Sequence, residues 1–211
     1  MLIFNIILFC VTLFHNKYWV KAFEDVWENK NLTWSFRDPF FVFANEYSYQ
    51  KAKLVLLDSF REWEYSINSM ISFTDISPSS RHSILNMKKQ ANIDIFFAKF
   101  NHNDLESFDG KNGIIAHSSK ISKNESFIHF DASEKWATNS KIKDRINLKL
   151  VALHEIGHIL GLKHNSYHNS IMNPYYIYYK PFNYNVPPVI HFQDIIDIQK
   201  LYTSIDKIND L

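Results

Sequence analysis

The segment HEIGHILGLKH combines three histidines with one glutamate at spacings that suit a metal site. His154 and His158 are four residues apart, so on a helix both imidazoles lie on one face and can reach a single Zn²⁺ at about 2.0–2.1 Å. Gly161 permits a left-handed turn that ends the helix, after which His164 can supply a third nitrogen. Three protein ligands leave a fourth position open for water, as catalytic zinc sites do.

Glu155 follows the first of these histidines and is offset from the ligand face of the helix. That position suits a general base that takes a proton from zinc-bound water without binding the metal itself. The hydroxide could then attack a peptide carbonyl while zinc stabilises the developing negative charge. The competing interpretation is a buried helix with incidental histidines, but the full pattern HExxHxxGxxH arises by chance far less often than HExxH alone.

The composition of the chain restricts the class of protein. Its 211 residues are 46% hydrophobic and 21% charged, which is a globular balance and enough for one domain with a sizeable core. The formal charge of +1 argues against nucleic acid as a partner, because nucleic-acid binding usually requires a strong basic excess. The single cysteine, Cys10, cannot form an intramolecular disulfide.

The N-terminus begins with an apolar run that contains Cys10 and is too short to span a bilayer comfortably. The sequence Val20-Lys21-Ala22 then places small residues at the spacing of a signal-peptidase site. We predict that residues 1–22 are a signal peptide and that the protein is secreted. An uncleaved membrane anchor is the alternative.

Hydrophobic patterning predicts a single domain in which strands and helices are mixed. Short apolar or alternating runs bounded by turn residues predict strands at 32–36, 71–74, 93–98, 114–118 and 127–130. Apolar residues at helical spacing predict helices at 49–67, 148–160 and 192–202. A tyrosine- and proline-rich loop joins the last two helices.

The pattern HExxHxxGxxH is the signature of the metzincins, and the segment ANIDIFFAKFNHNDLESFDGKNGIIAHSSKISKNESFIHFDASEKW closely resembles the matrixins, the matrix metalloproteinase family. The similarity runs from about residue 32 to 202. It implies an α/β (α+β) zincin-like fold, with a twisted, mostly parallel five-stranded sheet and three helices. It also implies a zinc cleft between a larger N-terminal and a smaller C-terminal subdomain, with residues 23–211 forming the catalytic domain of a metalloendopeptidase.

The resemblance implies further site residues. Met172 in SIMNP is expected to form a methionine turn beneath the catalytic zinc, as an apolar floor and not a ligand. A structural zinc is expected to be held by His102, Asp104, His117 and His129, which would close a tetrahedral shell. At least one Ca²⁺ is expected, with side-chain oxygens from Asp109, Asp131 and Glu134 and main-chain oxygens from Gly110, Asn112 and Ile114.

The resemblance also places the substrate. A peptide is expected to lie extended along the strand at 114–117, and the pocket beside the zinc would take the side chain that follows the cut. Leu150, four residues before His154, is expected to limit the depth of that pocket and to favour an apolar side chain. The predicted pocket residues are Leu150, Ile115, Ala116, Pro174 and Tyr176.

Two features depart from the family. Matrixins usually have Ser after the third zinc histidine, and this chain has Asn165. The sequence also predicts a minimal form without a cysteine-switch prodomain or a hemopexin-like propeller. We expect a monomer that cleaves extended extracellular proteins, including extracellular matrix, and whose activity is controlled by secretion, by protein inhibitors or by expression. The alternatives are a catalytically weak secreted binding module stabilised by metals and a membrane-tethered sheddase.

Overall fold

The computed structural model describes residues 7–8, 26–81, 91–102, 104, 106–139, 142, 144–176 and 189–209. The segment 9–25, which includes Cys10 and the predicted cleavage position after Ala22, lies outside the described residues. The elements along the chain are β1 (Ile7–Leu8), β2 (Asn31–Arg37), α1 (Glu46–Ser66), β3 (Ser72–Asp75), β4 (Ile93–Ala98), β5 (Ala116–Ser122), β6 (Glu125–Asp131), β7 (Trp136–Ala137), β8 (Ile146–Asn147), α2 (Leu148–Ile159), β9 (Tyr175–Tyr176) and α3 (Phe192–Asn209).

Five strands form one sheet in the order β3-β2-β4-β6-β5. β2 pairs in parallel with β3 and β4, and β4 pairs in parallel with β6, whereas β5 pairs antiparallel with β6. The predicted α/β class with a mostly parallel five-stranded sheet is therefore confirmed. β5 lies at one edge of this sheet. Two short pairings, β1 with β9 and β7 with β8, lie outside the sheet.

Helix α1 covers one face of the sheet with an apolar stripe. Residues on this stripe recur every three or four positions and are buried, as expected for a helix packed on a core: Tyr49, Ala52, Leu56, Phe60 and Trp63. The Phe60 ring stacks on that of Trp34 in β2, with centroids 5.0 Å apart. β4 is the central strand of the sheet, and its side chains are buried along almost the whole strand. Its apolar sequence predicts this position.

The structure corrects three predicted boundaries. Helix α1 begins at Glu46 rather than at 49, because Asn45 and Ser48 form a reciprocal capping box one turn earlier. Strand β5 begins at Ala116 rather than at 114, since the Ile114 N–H donates to Asp109 Oδ1 at 2.9 Å within the preceding loop. Helix α3 extends to Asn209 rather than ending at 202.

Three aromatic side chains anchor helix α2 from different parts of the chain. Trp63 Nε1 of α1 donates to the Leu153 carbonyl at 2.9 Å, and Trp27 Nε1 donates to the Ile159 carbonyl at 2.8 Å. The Tyr202 hydroxyl of α3 donates to the Leu160 carbonyl at 3.0 Å. Carbonyls in the last turn of a helix have no partner within the helix, so the latter two bonds satisfy buried acceptors as well as fix the position of α2.

In the part of the chain that the structure describes, no helix combines the length and the apolar character needed to cross a bilayer.

Candidate metal centres

Helix α2 carries the first two candidate ligands, and both of its ends are fixed by local hydrogen bonds. At the start, Asn147 Oδ1 accepts hydrogen bonds from the N–H groups of Lys149 and Leu150. At the end, Gly161 has a φ of +105°, Leu162 N donates to the Gly157 carbonyl, and Gly161 N donates to the His158 carbonyl. These bonds form a Schellman motif, which reverses the chain as the sequence predicts.

The reversal brings His164 back against the helix. The Nε2 atoms of His154 and His158 are 3.0 Å apart, and each lies 3.1 Å from His164 Nε2. A tetrahedral zinc with nitrogen ligands at about 2.0–2.1 Å requires ligand atoms roughly 3.3 Å apart. The triangle of nitrogens therefore has close to the size that zinc requires. The three imidazoles would fill three of the four coordination positions of a tetrahedral zinc.

The imidazoles are in the chemical form that a metal needs. His154 Nδ1 lies 2.6 Å from the Ile171 carbonyl and His158 Nδ1 lies 2.9 Å from the Leu162 carbonyl. Each Nδ1–H donates to its carbonyl, which leaves the Nε2 lone pair for a metal. Burial lowers the pKa of His154 well below its usual value and, with the charge of His164, lowers that of His158 to about 4. Burial also lowers the pKa of His164.

Glu155 is fully buried next to this cluster and is held by a residue of the sheet edge. Its Oε2 accepts a hydrogen bond of 2.6 Å from Ser118 Oγ in β5. Its Oε1 is buried and has no hydrogen-bond partner among the described residues. Burial raises the pKa of Glu155 to about 8; the Ser118 hydrogen bond opposes this shift and the charge of Glu106 adds to it. A nearby divalent cation would instead favour the carboxylate.

Met172 is buried, and its sulfur lies against Gly157 of α2. Asp194 of α3 fixes the turn that contains it. Asp194 Oδ1 accepts from Ser170 Oγ at 2.5 Å and from Asn165 Nδ2 at 3.2 Å, and Oδ2 accepts from Ile171 N at 2.9 Å. Asn165, where matrixins usually have Ser, is therefore part of this network.

Sequence reasoning missed Ser118 and Asp194. For Ser118 a signal existed, because successive side chains of a strand point to opposite faces. A strand that directs His117 to one cluster must direct Ser118 away from it, toward α2. For Asp194 no local pattern was available, since its partners lie 23 to 29 positions away in the chain.

The second candidate zinc cluster is closed on all four sides. Asp104 Oδ2 lies 2.8 Å from His102 Nε2, 2.8 Å from His117 Nε2 and 2.7 Å from His129 Nδ1. The three nitrogens lie 3.1, 3.2 and 3.3 Å from one another. Four ligand atoms converge with near-tetrahedral separations, and His129 presents Nδ1 where the other two histidines present Nε2. No position is left for water, which is the character of a structural zinc site.

The protonation of the residues in the second cluster also suits a bound cation. Burial lowers the pKa of His117 and, together with the charge of His117, lowers the pKa of His129 to about 3, so both imidazoles are neutral near pH 7. For Asp104, burial alone would raise the pKa, but the hydrogen bond and charge of His117 outweigh it and leave the pKa lowered. A carboxylate and three imidazole nitrogens make a donor set that suits zinc.

The predicted calcium residues share one region but are less tightly gathered than the two zinc clusters. The Ile114 N–H donates to Asp109, the Asn112 N–H to Glu134, and the Ser133 N–H to Asp131 Oδ1. Within the described residues, only the two histidine clusters bring three or more ligand atoms within 4.8 Å of one another.

Two observations nevertheless fit a hard cation at the acidic loop. Asp131 Oδ2 is buried without a hydrogen-bond partner in the described structure. Burial raises the pKa of both Asp131 and Glu134, and the charge of Asp109 raises both further. Crowded carboxylates of this kind are stabilised by Ca²⁺, which binds oxygen ligands.

The predicted pocket residues lie in separate elements: beside or within β5, in α2, and after the methionine turn. Ile115 and Ala116 are fully buried where β5 begins, and Leu150 in the first turn of α2 is half-buried. Pro174 is half-buried and follows the methionine turn. The main chain of Tyr176 lies in β9, but its side chain is outside the described part of the structure, as are Tyr178 and Tyr179.

The mixed sheet, the three-histidine cluster and the buried glutamate of α2 together match the arrangement expected of a metzincin-type peptidase domain. Residues 26–203 match the matrixin family of peptidases. The chain belongs to the matrixin family.

Relatives among known proteins are matrix metalloproteinases. The chain is 36% identical to human neutrophil collagenase over 178 residues, which is 83% of this chain and 33% of that protein. It is 32% identical to human matrix metalloproteinase-15 over 184 residues, 85% of this chain and 25% of the relative. It is 38% identical to rat macrophage metalloelastase over 131 residues, 62% of this chain and 26% of the relative. The chain thus spans a third or less of the length of these relatives.

Proposed function

We propose that this chain is a secreted endopeptidase in which His154, His158 and His164 hold a catalytic zinc and Glu155 is the general base. The observation that carries the proposal is the convergence of three Nε2 atoms within 3.0–3.1 Å of one another beside a fully buried carboxylate. A purely structural zinc needs no base. The buried glutamate therefore favours a peptidase over a metal-stabilised binding module.

The proposed mechanism assigns a distinct task to each group. Zinc, when bound, supplies a Lewis acid that lowers the pKa of a water molecule and polarises the substrate carbonyl. Glu155 accepts a proton from the attacking water on its unpartnered Oε1 and passes it to the departing amine. The Ile171 and Leu162 carbonyls hold His154 and His158 in the tautomer that presents Nε2.

The other metal ions are proposed to be structural. A second zinc would be held by His102, Asp104, His117 and His129, and would tie the loop before β5 to the sheet. At least one Ca²⁺ would bind beside Asp131, with Asp109 and Glu134 as the other carboxylates. Both ions would fix the loop that leads into the edge strand.

The substrate is proposed to be an extended polypeptide that adds to β5, the last strand of the five-stranded sheet, through main-chain hydrogen bonds. Because β5 begins at Ala116, the contact is proposed to involve residues from Ala116 onward rather than from 114. Leu150, Ile115, Ala116, Pro174 and Tyr176 are proposed to shape the pocket beside the zinc, where an apolar side chain would fit. The names of two relatives, a collagenase and an elastase, support extracellular matrix proteins as substrates. We further propose that the chain acts as a monomer and is a target of protein inhibitors.

Cleavage of a quenched peptide with apolar residues around the cut tests the function. We expect hydrolysis that a zinc chelator abolishes and that Glu155→Ala lowers by at least about 100-fold, while that variant keeps its zinc and its fold. Glu125→Ala, which removes an exposed glutamate in the β5–β6 hairpin, is the matched control. Full activity in Glu155→Ala would refute the mechanism. N-terminal sequencing of protein from the culture medium tests secretion, because cleavage after Ala22 gives a new N-terminus at residue 23.

A further inference from the structure

Ser118 makes its main side-chain contacts with Glu155. Its Oγ lies 2.6 Å from Glu155 Oε2 and 3.3 Å from the main-chain oxygen of the same residue. The hydroxyl therefore spans the carboxylate and the backbone of helix α2. A hydroxyl has a single proton to donate, and the shorter distance assigns it to the carboxylate.

Ser118 is carried by a rigid part of the structure. In β5 it pairs with Ile128 of β6, and its neighbour His117 pairs with His129. The His117 side chain lies in the closed cluster with Asp104, on the opposite face of the strand from Ser118. The serine hydroxyl therefore reaches Glu155 from a strand fixed by its ladder and by a ligand of the second cluster.

This hydrogen bond distinguishes the two oxygens of Glu155. Oε2 is occupied by Ser118, whereas Oε1 is buried without a partner in the described residues. A carboxylate with no such bond could rotate about its last side-chain torsion, which is soft and nearly two-fold. Holding Oε2 selects one rotational state and keeps the unpartnered oxygen available.

We propose that Ser118 is a positioning residue for the peptidase reaction: it holds Glu155 so that Oε1 faces the attacking water. The proposal rests on the proposed function and assigns to the Ser118 side chain a role that it performs through Glu155. Its loss should slow the chemical step and leave substrate binding nearly unchanged, because the hydroxyl contacts Glu155 and not the substrate.

The test compares three variants of the full zinc-loaded chain with the quenched apolar peptide as substrate. Ser118→Ala removes the hydroxyl, Ser118→Thr keeps it and suits a β-strand, and Ser79→Ala, which removes an exposed serine hydroxyl outside β5, is the matched control. We expect Ser118→Ala to lower kcat by roughly 10-fold to 100-fold, the usual range for a hydrogen bond to a charged group, with KM within about twofold. Ser118→Thr should recover most of kcat, and Ser79→Ala should match the parent chain.

The possible outcomes distinguish failure of the positioning role from failure of the proposed function. If Glu155→Ala is inactive but Ser118→Ala keeps the parent kcat, the positioning role is overturned and the peptidase remains. If the zinc-loaded parent chain cleaves no peptide, both are overturned. A fall in kcat that Ser118→Thr fails to recover would indicate a packing role instead and would also overturn the proposal. If Ser118→Ala does not fold, Ser118→Cys, whose thiol is a weak donor of similar size, takes its place with the same expected fall in kcat.

Discussion

Met172 packs on Gly157 so closely that a Cβ added at position 157 would lie 2.4 Å from the methionine sulfur. The same Cβ would lie 3.1 Å from a ring carbon of Trp63 in α1. Gly157, which lies between His154 and His158 in helix α2, is thus required by packing and not by backbone conformation. It lets the methionine turn lie directly beneath the helix that carries His154 and His158.

The first prediction concerns Gly157→Ala. Alanine usually favours a helix by up to about 1 kcal/mol over glycine. Here overpacking, which typically costs about 1–3 kcal/mol, should outweigh that gain and lower the free energy of unfolding by about 1–2 kcal/mol. Urea unfolding of the zinc-loaded protein measures the change. In a Met172→Ala background the same substitution should cost less, and an equal cost in both backgrounds would show that the sulfur is not the obstacle.

The second prediction concerns Asp194→Asn. The buried carboxylate accepts three hydrogen bonds, and an asparagine would replace one acceptor oxygen by an NH₂ group that faces another donor. We expect a loss of about 2–4 kcal/mol in the free energy of unfolding, since buried groups would be left unsatisfied. Thermal unfolding checks this. Asp197→Asn on the same helix is the control, because Asp197 is half-buried and accepts a 2.9 Å hydrogen bond from Gln193, one turn earlier, and it should cost less than about 1 kcal/mol.

The third prediction concerns the order in which zinc is lost. The cluster at His164 has three protein ligands, and the cluster at Asp104 has four. A chelator should therefore remove peptidase activity first, while the protein stays folded with about one zinc per chain remaining. Loss of the second ion should coincide with unfolding, because structural zinc contributes directly to folding energy. Zinc content, activity and circular dichroism are followed during one titration; unfolding that precedes inactivation would contradict the assignment.

The fourth prediction is that Ca²⁺ stabilises the folded chain by binding at Asp131. Adding Ca²⁺ at one hundred times its dissociation constant should raise the free energy of unfolding by about 2.7 kcal/mol, because only the folded state binds it. Asp131→Asn should remove most of this increase, whereas Glu125→Gln, at an exposed position, should retain it. Thermal unfolding with and without Ca²⁺ gives the answer, and equal stabilisation of all three proteins would place the ion elsewhere.

Helix α2 and the turn that follows it were predictable, because the residues that determine them lie close together in the sequence. His154, Glu155 and His158 lie within one and a half turns, and Gly161 reverses the chain before His164. The spacing alone therefore determines which side chains can meet. The mostly parallel sheet was likewise predicted from short apolar strands together with the matrixin resemblance, and its pairing agrees with that expectation.

The remaining features depend on contacts between distant segments. The Ser118–Glu155 bond spans 37 positions and the Asp194 network spans up to 29, so neither leaves a periodic trace in the sequence. The start of α1 was missed because the residue at the third position of its capping box is Ser48 rather than the usual Glu or Gln. The start of β5 was missed because Asp109 competes for the Ile114 N–H, which only the folded loop reveals.

The position of β5 at the sheet border has a consequence for how the protein behaves in solution. A strand that receives foreign polypeptide can equally receive a neighbouring molecule, and an uncovered border is a common origin of self-association. The irregular register between Lys120 and Ser122 limits this risk, because a bulge disturbs the regular edge that a second identical strand would need. Under the proposed binding mode, substitutions in the seven residues of β5 that broaden cleavage would also alter solubility.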